Sequence, residues 1–274
     1  MNLPAEINIP IAFIFLFVVV PGAALLTAIF GMIKRRQAEK KLFQTGIVYL
    51  KKLRIFLTYI QQHRGLTNGF FHGNSLSAGD IEKLELRIGE AIVDIQNVDG
   101  WMRQSGKWES LVDHWQRIRF YFKSSNAEIN LKQHNNLIAN LLYLIDDLAF
   151  AHHLGKFSLI DADDADWRKL LFVAEYLGQA RALGAGVAAK GMCTNVLRVQ
   201  LNHLVAKIES NINPEWTEIS RSDFHTFLTI IQQQIIADPP TISADEYFRI
   251  ATLCIEHVLV EFDRQVEKIK FYPT

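Results

Sequence analysis

The sequence predicts an all-α protein in which an N-terminal transmembrane helix precedes two four-helix bundles related by internal duplication. Three observations lead there. Residues 11–33 form an apolar run without a charge. From Lys34 onward apolar residues recur at steps of three and four, without the alternation that strands require. Features of the remaining chain also recur in the same order in its two halves. With 274 residues, 49 % of them apolar, the chain is long enough for a span and a sizeable helical core.

The first element follows from length. Ile11–Ile33 (IAFIFLFVVVPGAALLTAIFGMI) has about 23 residues, enough to cross a hydrocarbon core about 30 Å thick. A cleaved signal peptide would have a basic start and a shorter apolar core, whereas residues 1–10 carry only Glu6. Lys34, Arg35, Arg36, Lys40 and Lys41 follow the run, so residues 1–10 are expected outside and the rest in the cytoplasm, on a single-pass protein of the cytoplasmic membrane. Pro21 and Gly22 are expected to kink the span.

Beyond it, breaks fall at Gly73–Gly79, Gln104–Gly106, Ser124–Asn130, Asp161–Asp166, Gly191–Asn195, Asn211–Pro214 and Asp238–Pro240. Eight helices result, grouped as bundles over 34–160 and 161–274. The joining stretch Asp161–Asp166 lacks the glycine and terminal glutamate of a calcium loop and is read as capping the fifth helix. The repeat rests on three matches. His63-Arg-Gly-Leu-Thr-Asn-Gly69 aligns with Ala180-Arg-Ala-Leu-Gly-Ala-Gly186, Trp108 with Trp216, and Ile138-Ala-Asn-Leu141 with Ile250-Ala-Thr-Leu253.

The chemistry lies on two of these helices. Leu53, Leu57, Ile60 and Arg64 share one stripe of the first, as Leu170, Val173, Leu177 and Arg181 share one of the fifth. A guanidinium on an inward stripe keeps its charge and must meet an anion or bear a desolvation cost of several kcal/mol. Its planar fork of donors matches a carboxylate, nitrate or nitrite. Two readings stay open from spacing alone. The arginines bind a ligand, with His63 and Thr67 as further donors, or they pair internally with Glu85, Asp146, Glu175 or Asp263.

Tyr59-Ile-Gln-Gln-His-Arg-Gly-Leu-Thr-Asn-Gly69 resembles the first motif of the nitrate- and nitrite-sensing domain family, and Leu177-Gly-Gln-Ala-Arg-Ala-Leu-Gly-Ala-Gly186 resembles its second. Ile242-Ser-Ala-Asp-Glu-Tyr-Phe-Arg-Ile-Ala-Thr252 is similar to the start of that family's last helix, and the resemblance spans about Lys41 to Lys268. It implies two four-helix bundles and an anion held by Arg64 and Arg181, with Arg249 as a third contact. The chain departs from the family pattern at His63, where an acidic residue commonly stands, and at Ala180.

The expected function is therefore a membrane-anchored sensor that binds nitrate or nitrite between helices and relays its state to a homodimer partner or a separate output protein, since only Ile269–Thr274 follow the last helix. The rival is a ligand-free helical scaffold on the membrane. Lys and Arg balance Asp and Glu at 29 each, so no global field points to nucleic acid. Cys193 and Cys254 are far apart and no His-x-x-x-His pair occurs, which argues against a metal site, and no cofactor is expected. No phosphate loop or nucleophile motif suggests an enzyme. The tryptophans Trp101, Trp108, Trp115, Trp167 and Trp216 are read as packing.

Overall fold

The computed structural model describes residue 17 and residues 19–72, 77–154, 167–212 and 218–269. Among them the chain is helical, with nine α-helices and no strand. These are α1 (Val20–Phe71), α2 (Ser77–Gln96), the single turn α3 (Gly100–Arg103), α4 (Gly106–Tyr121), α5 (Ala127–Ala151), α6 (Trp167–Lys190), α7 (Asn195–Glu209), α8 (Glu218–Ile230) and α9 (Ala244–Lys268). A π-helical turn, Ile231–Ile235, continues α8.

Several boundaries follow from side-chain caps. Ser105 Oγ accepts from the Trp108 amide, Asn126 Oδ1 from Ile129, Thr194 Oγ1 from Leu197 and Ser243 Oγ from Glu246. Each satisfies one of the amides that a helix start leaves without a partner. Gly191, at φ 67°, ends α6 in a backbone conformation that suits glycine. The extra turn α3, beyond the eight expected helices, starts where Asp99 Oδ1 accepts from the Trp101 amide and from Tyr49 Oη, which ties the turn to α1.

In the first half α1 packs on α2 and α5, and α4 packs on α5; in the second, α6 packs on α7 and α9, and α8 packs on α9. The order of neighbours is the same. The halves meet along α1 against α6, and their buried side chains form one connected apolar cluster. Trp108, Trp115 and Trp167 are buried in it, as expected of packing residues. Trp216 and the acidic stretch 161–166 lie outside the described residues.

Helix α1 is 52 residues long and crosses the expected boundary at Lys34 without a break. Phe43 is its first buried residue, so more than 30 Å of helix precedes the packed part. Leu25, Leu26, Ile29, Phe30, Met32 and Ile33 on this arm are exposed. Pro21 sits in its first turn, where a missing amide costs little. The expected span 11–33 lies partly outside the described residues. Among those described, no helix is long and apolar enough to cross a membrane, so the fold lends the anchor no support.

Candidate functional site

Both predicted stripes turn inward. Leu53, Leu57, Ile60 and Arg64 are fully buried, and Leu170, Val173, Leu177 and Arg181 are at most 5 % exposed. The same spacing on α1 and α6 thus carries a guanidinium into the seam between the halves. Arg64 and Arg181 are compensated differently.

Arg64 meets a carboxylate of the chain itself. Its Nη1 donates to Glu175 Oε1 at 2.6 Å and its Nη2 to Glu175 Oε2 at 3.1 Å, a forked pair across α1 and α6. Nη1 also donates to Asn135 Oδ1 on α5 at 2.7 Å. Glu175 accepts two further bonds, from Gln61 Nε2 at 2.9 Å and Gln179 Nε2 at 2.8 Å, which fills its four lone-pair positions. Of the four carboxylates open as internal partners, Glu175 is the one that pairs. Asp263 bonds Arg54, Asp146 lies against Arg168, and Glu85 bonds Arg119. Gly178 makes the approach possible, since a Cβ there would stand 2.5 Å from Arg64 Nη2.

Arg181 has no carboxylate partner among the described residues. Its Nη1 donates to Thr252 Oγ1 on α9 at 2.9 Å and its Nη2 to the Gln61 carbonyl at 3.4 Å, while Nε finds no partner. The Phe248 ring lies 4.6 Å beneath the guanidinium. Burial, and then the charge of Arg64, pull its pKa down to about 10, against the attraction of Glu175. It stays a cation at neutral pH. Gly65 lets the helices close here, because a Cβ at that position would meet the Phe248 ring at 3.2 Å.

The other predicted residues are placed as follows. His63 points away from Arg64 into the first half, where its Nδ1 lies 2.8 Å from His134 Nε2 and its ring packs edge-on against Trp115. Burial lowers its pKa below the usual 6.5, opposed by Glu85. Thr67 Oγ1 donates to the His63 carbonyl at 2.7 Å and accepts from Asn130 Nδ2 at 2.9 Å, so its hydroxyl is occupied. Arg249 is exposed on α9. It lines a cavity of about 390 Å³ together with Phe248 and Thr252, the two residues that touch Arg181. Sequence reasoning missed the neutral partners Gln61, Asn135, Gln179, Phe248 and Thr252. Among the described residues no three metal-ligating side chains gather.

Arg64 bonds Asn135 and Arg181 bonds Thr252, each pair 71 residues apart.

No protein-family model matches the sequence, and no curated protein matches it. The fold is similar to that in the structure of the NasR transcription antiterminator, with a TM-score of 0.66, 16 % sequence identity, and coverage of 89 % of this chain and 73 % of that chain.

Proposed function

We propose that this protein is a sensor, not an enzyme, that binds one small planar oxyanion, nitrate or nitrite, at Arg181 in the seam between two four-helix units of duplicated origin, 34–160 and 161–274. The observation that carries the reading is a 4 % exposed guanidinium without a carboxylate partner among the described residues. A buried cation held only by a hydroxyl, a carbonyl and an aromatic face has unspent capacity for an anion. The resemblance of the Arg64 and Arg181 motifs to a nitrate- and nitrite-sensing family supports the same ligand. The duplication is supported by the common order of helix neighbours and the matched arginine contacts. Binding would tighten α6 against α9 and α1, and a homodimer partner or a separate output protein would read that packing. Attachment to the cytoplasmic membrane through residues 11–33 is part of the proposal, and it rests on the uncharged apolar run of the sequence there. Resistance of the full-length protein to carbonate extraction from membranes is expected, and its release would overturn this part.

Nitrate should raise the melting temperature of the full-length protein in a concentration-dependent way, and chloride at equal ionic strength should do less. Arg181→Gln should remove the difference. A second reading has its own observation: Glu175 already neutralises Arg64, as a ligand-free scaffold would require. Equal responses to nitrate and chloride in the wild type would favour that scaffold.

A further inference from the structure

A groove of about 660 Å³ opens between the C-terminal end of α1 and helices α5, α6 and α7. That is within the range of small-molecule sites, and far larger than a nitrate ion needs. Asn135 and Gln179 both line it, and both are also bonded to the buried ion pair behind its floor. Those bonds dictate which end of each amide faces the groove. A guanidinium has only donors, so Asn135 must turn its oxygen inward and leave its NH₂ free. A carboxylate has only acceptors, so Gln179 must turn its NH₂ inward and leave its oxygen free. Neither outward end has a protein partner among the described residues. The groove therefore offers one donor and one acceptor whose identities are locked by the charges of Arg64 and Glu175.

The charge around them has a sign. Lys132 and Lys190 are exposed along the same groove, His72 lines it with Nδ1 committed to the Asn68 carbonyl at 2.7 Å, and Glu128 is the one acidic lining residue. From this geometry we propose that the groove is a second binding site, for a small anionic molecule that carries an amide edge, a carboxamide or a lactam. The amide C=O of such a ligand accepts from Asn135 Nδ2, its N–H donates to Gln179 Oε1, and its negative group lies against the lysines. The site is separate from Arg181. It shares with it only the Arg64–Glu175 pair.

Calorimetric titration of the full-length protein with two matched pairs of probes tests this. Succinamate against pentanoate, which carries the same single charge without the amide, represents the carboxamide source, and uridine 5′-monophosphate against ribose 5-phosphate the lactam source. In at least one pair the amide-bearing member should bind about tenfold more tightly, the worth of one or two well-formed hydrogen bonds. Parity within both pairs would overturn the proposal, because charge alone would then explain binding, and so would the absence of any binding. Gln179→Met should erase the preference within the responsive pair. Because that change also touches Glu175, Lys190→Gln, on an exposed side chain, serves as the fold-safe variant. It should weaken the responsive anion severalfold, and unchanged affinity would place the ligand elsewhere and overturn the assignment. The nitrate response at Arg181, measured on the same samples, stands or falls independently of these outcomes.

Discussion

Arg64 and Arg181 occupy matching places on α1 and α6 and reach the same seam, but their surroundings compensate them differently. Arg64 is held by a forked carboxylate and an amide, so its charge is matched inside the fold. Arg181 has a hydroxyl, a distant carbonyl and a ring, and its pKa is pulled down to about 10. Two guanidinium groups and one carboxylate leave one positive charge over. Similar sequence therefore need not mean similar chemistry: α6 supplies the carboxylate that matches Arg64 of α1, while its own Arg181 has no carboxylate partner among the described residues.

The largest test of this contrast is to remove either partner of the matched pair. Arg64→Gln strands Glu175 as a buried carboxylate, and Glu175→Gln strands Arg64 beside Arg181. Each should destabilise the protein by about 3 to 5 kcal/mol in urea unfolding. Glu175→Gln should in addition enlarge the nitrate response, because a second guanidinium is then unpaired. If either change costs less than about 1 kcal/mol, on the scale of a surface pair, the ion pair is not what holds this seam.

A smaller effect is expected from the glycines that admit the two arginines. Gly178→Ala places a Cβ 2.5 Å from Arg64 Nη2, an atom pinned by Glu175, so relaxation must break a bond of the network. Gly65→Ala meets only the Phe248 ring at 3.2 Å, which has room to shift by a few tenths of an ångström. Gly178→Ala should cost about 1 to 3 kcal/mol and Gly65→Ala less. The reverse order of melting temperatures would mean that Arg64 is held more loosely than Arg181.

Acid should act on the first half before it acts on the seam. Burial lowers the pKa of His63, and lowers that of His134 well below 6.5, so both are neutral when folded at pH 7. Below 6.5 the unfolded chain binds protons that the folded chain resists. Stability should therefore be level above about pH 6.5 and fall as pH drops beneath it, by up to about 1.4 kcal/mol per pH unit for each histidine. Measured urea midpoints should show this slope, and His134→Asn should reduce it. A midpoint that holds steady from pH 7 to 5 would mean that these histidines are charged in the folded state.

Periodicity made the two inward stripes legible, because a helix repeats every 3.6 residues and the leucines preceding each arginine mark the buried face. It also left Glu175 among four carboxylates, and could go no further, since a cross-helix pair depends on how α1 packs on α6. Gln61, Asn135 and Thr252 carry no charge and had no signal at all. The fourth-helix match of Ile138–Leu141 with Ile250–Leu253 carries little information by itself, because apolar tetrads recur at every turn of any bundle helix.

The smallest expected effect is the most telling one. Arg181→Gln keeps an amide donor for Thr252 and removes a charge that Arg64 repels, so in nitrate-free buffer it should change stability by less than about 1 kcal/mol, of either sign. The same substitution on the matched arginine costs several times more, although the two side chains are equally buried to within 4 %. Burial is thus held constant while compensation varies. With nitrate at ten times its Kd, the wild type should gain about 1.4 kcal/mol, read as a rise of about 3 to 6 °C in melting temperature, and the variant should gain nothing beyond what chloride gives. The gap between wild type and variant should therefore move in favour of the wild type when nitrate is added, by that same amount. If Arg181→Gln destabilises the nitrate-free protein as severely as Arg64→Gln does, Arg181 is already compensated within the fold, and the difference between the halves is one of geometry without a difference in charge.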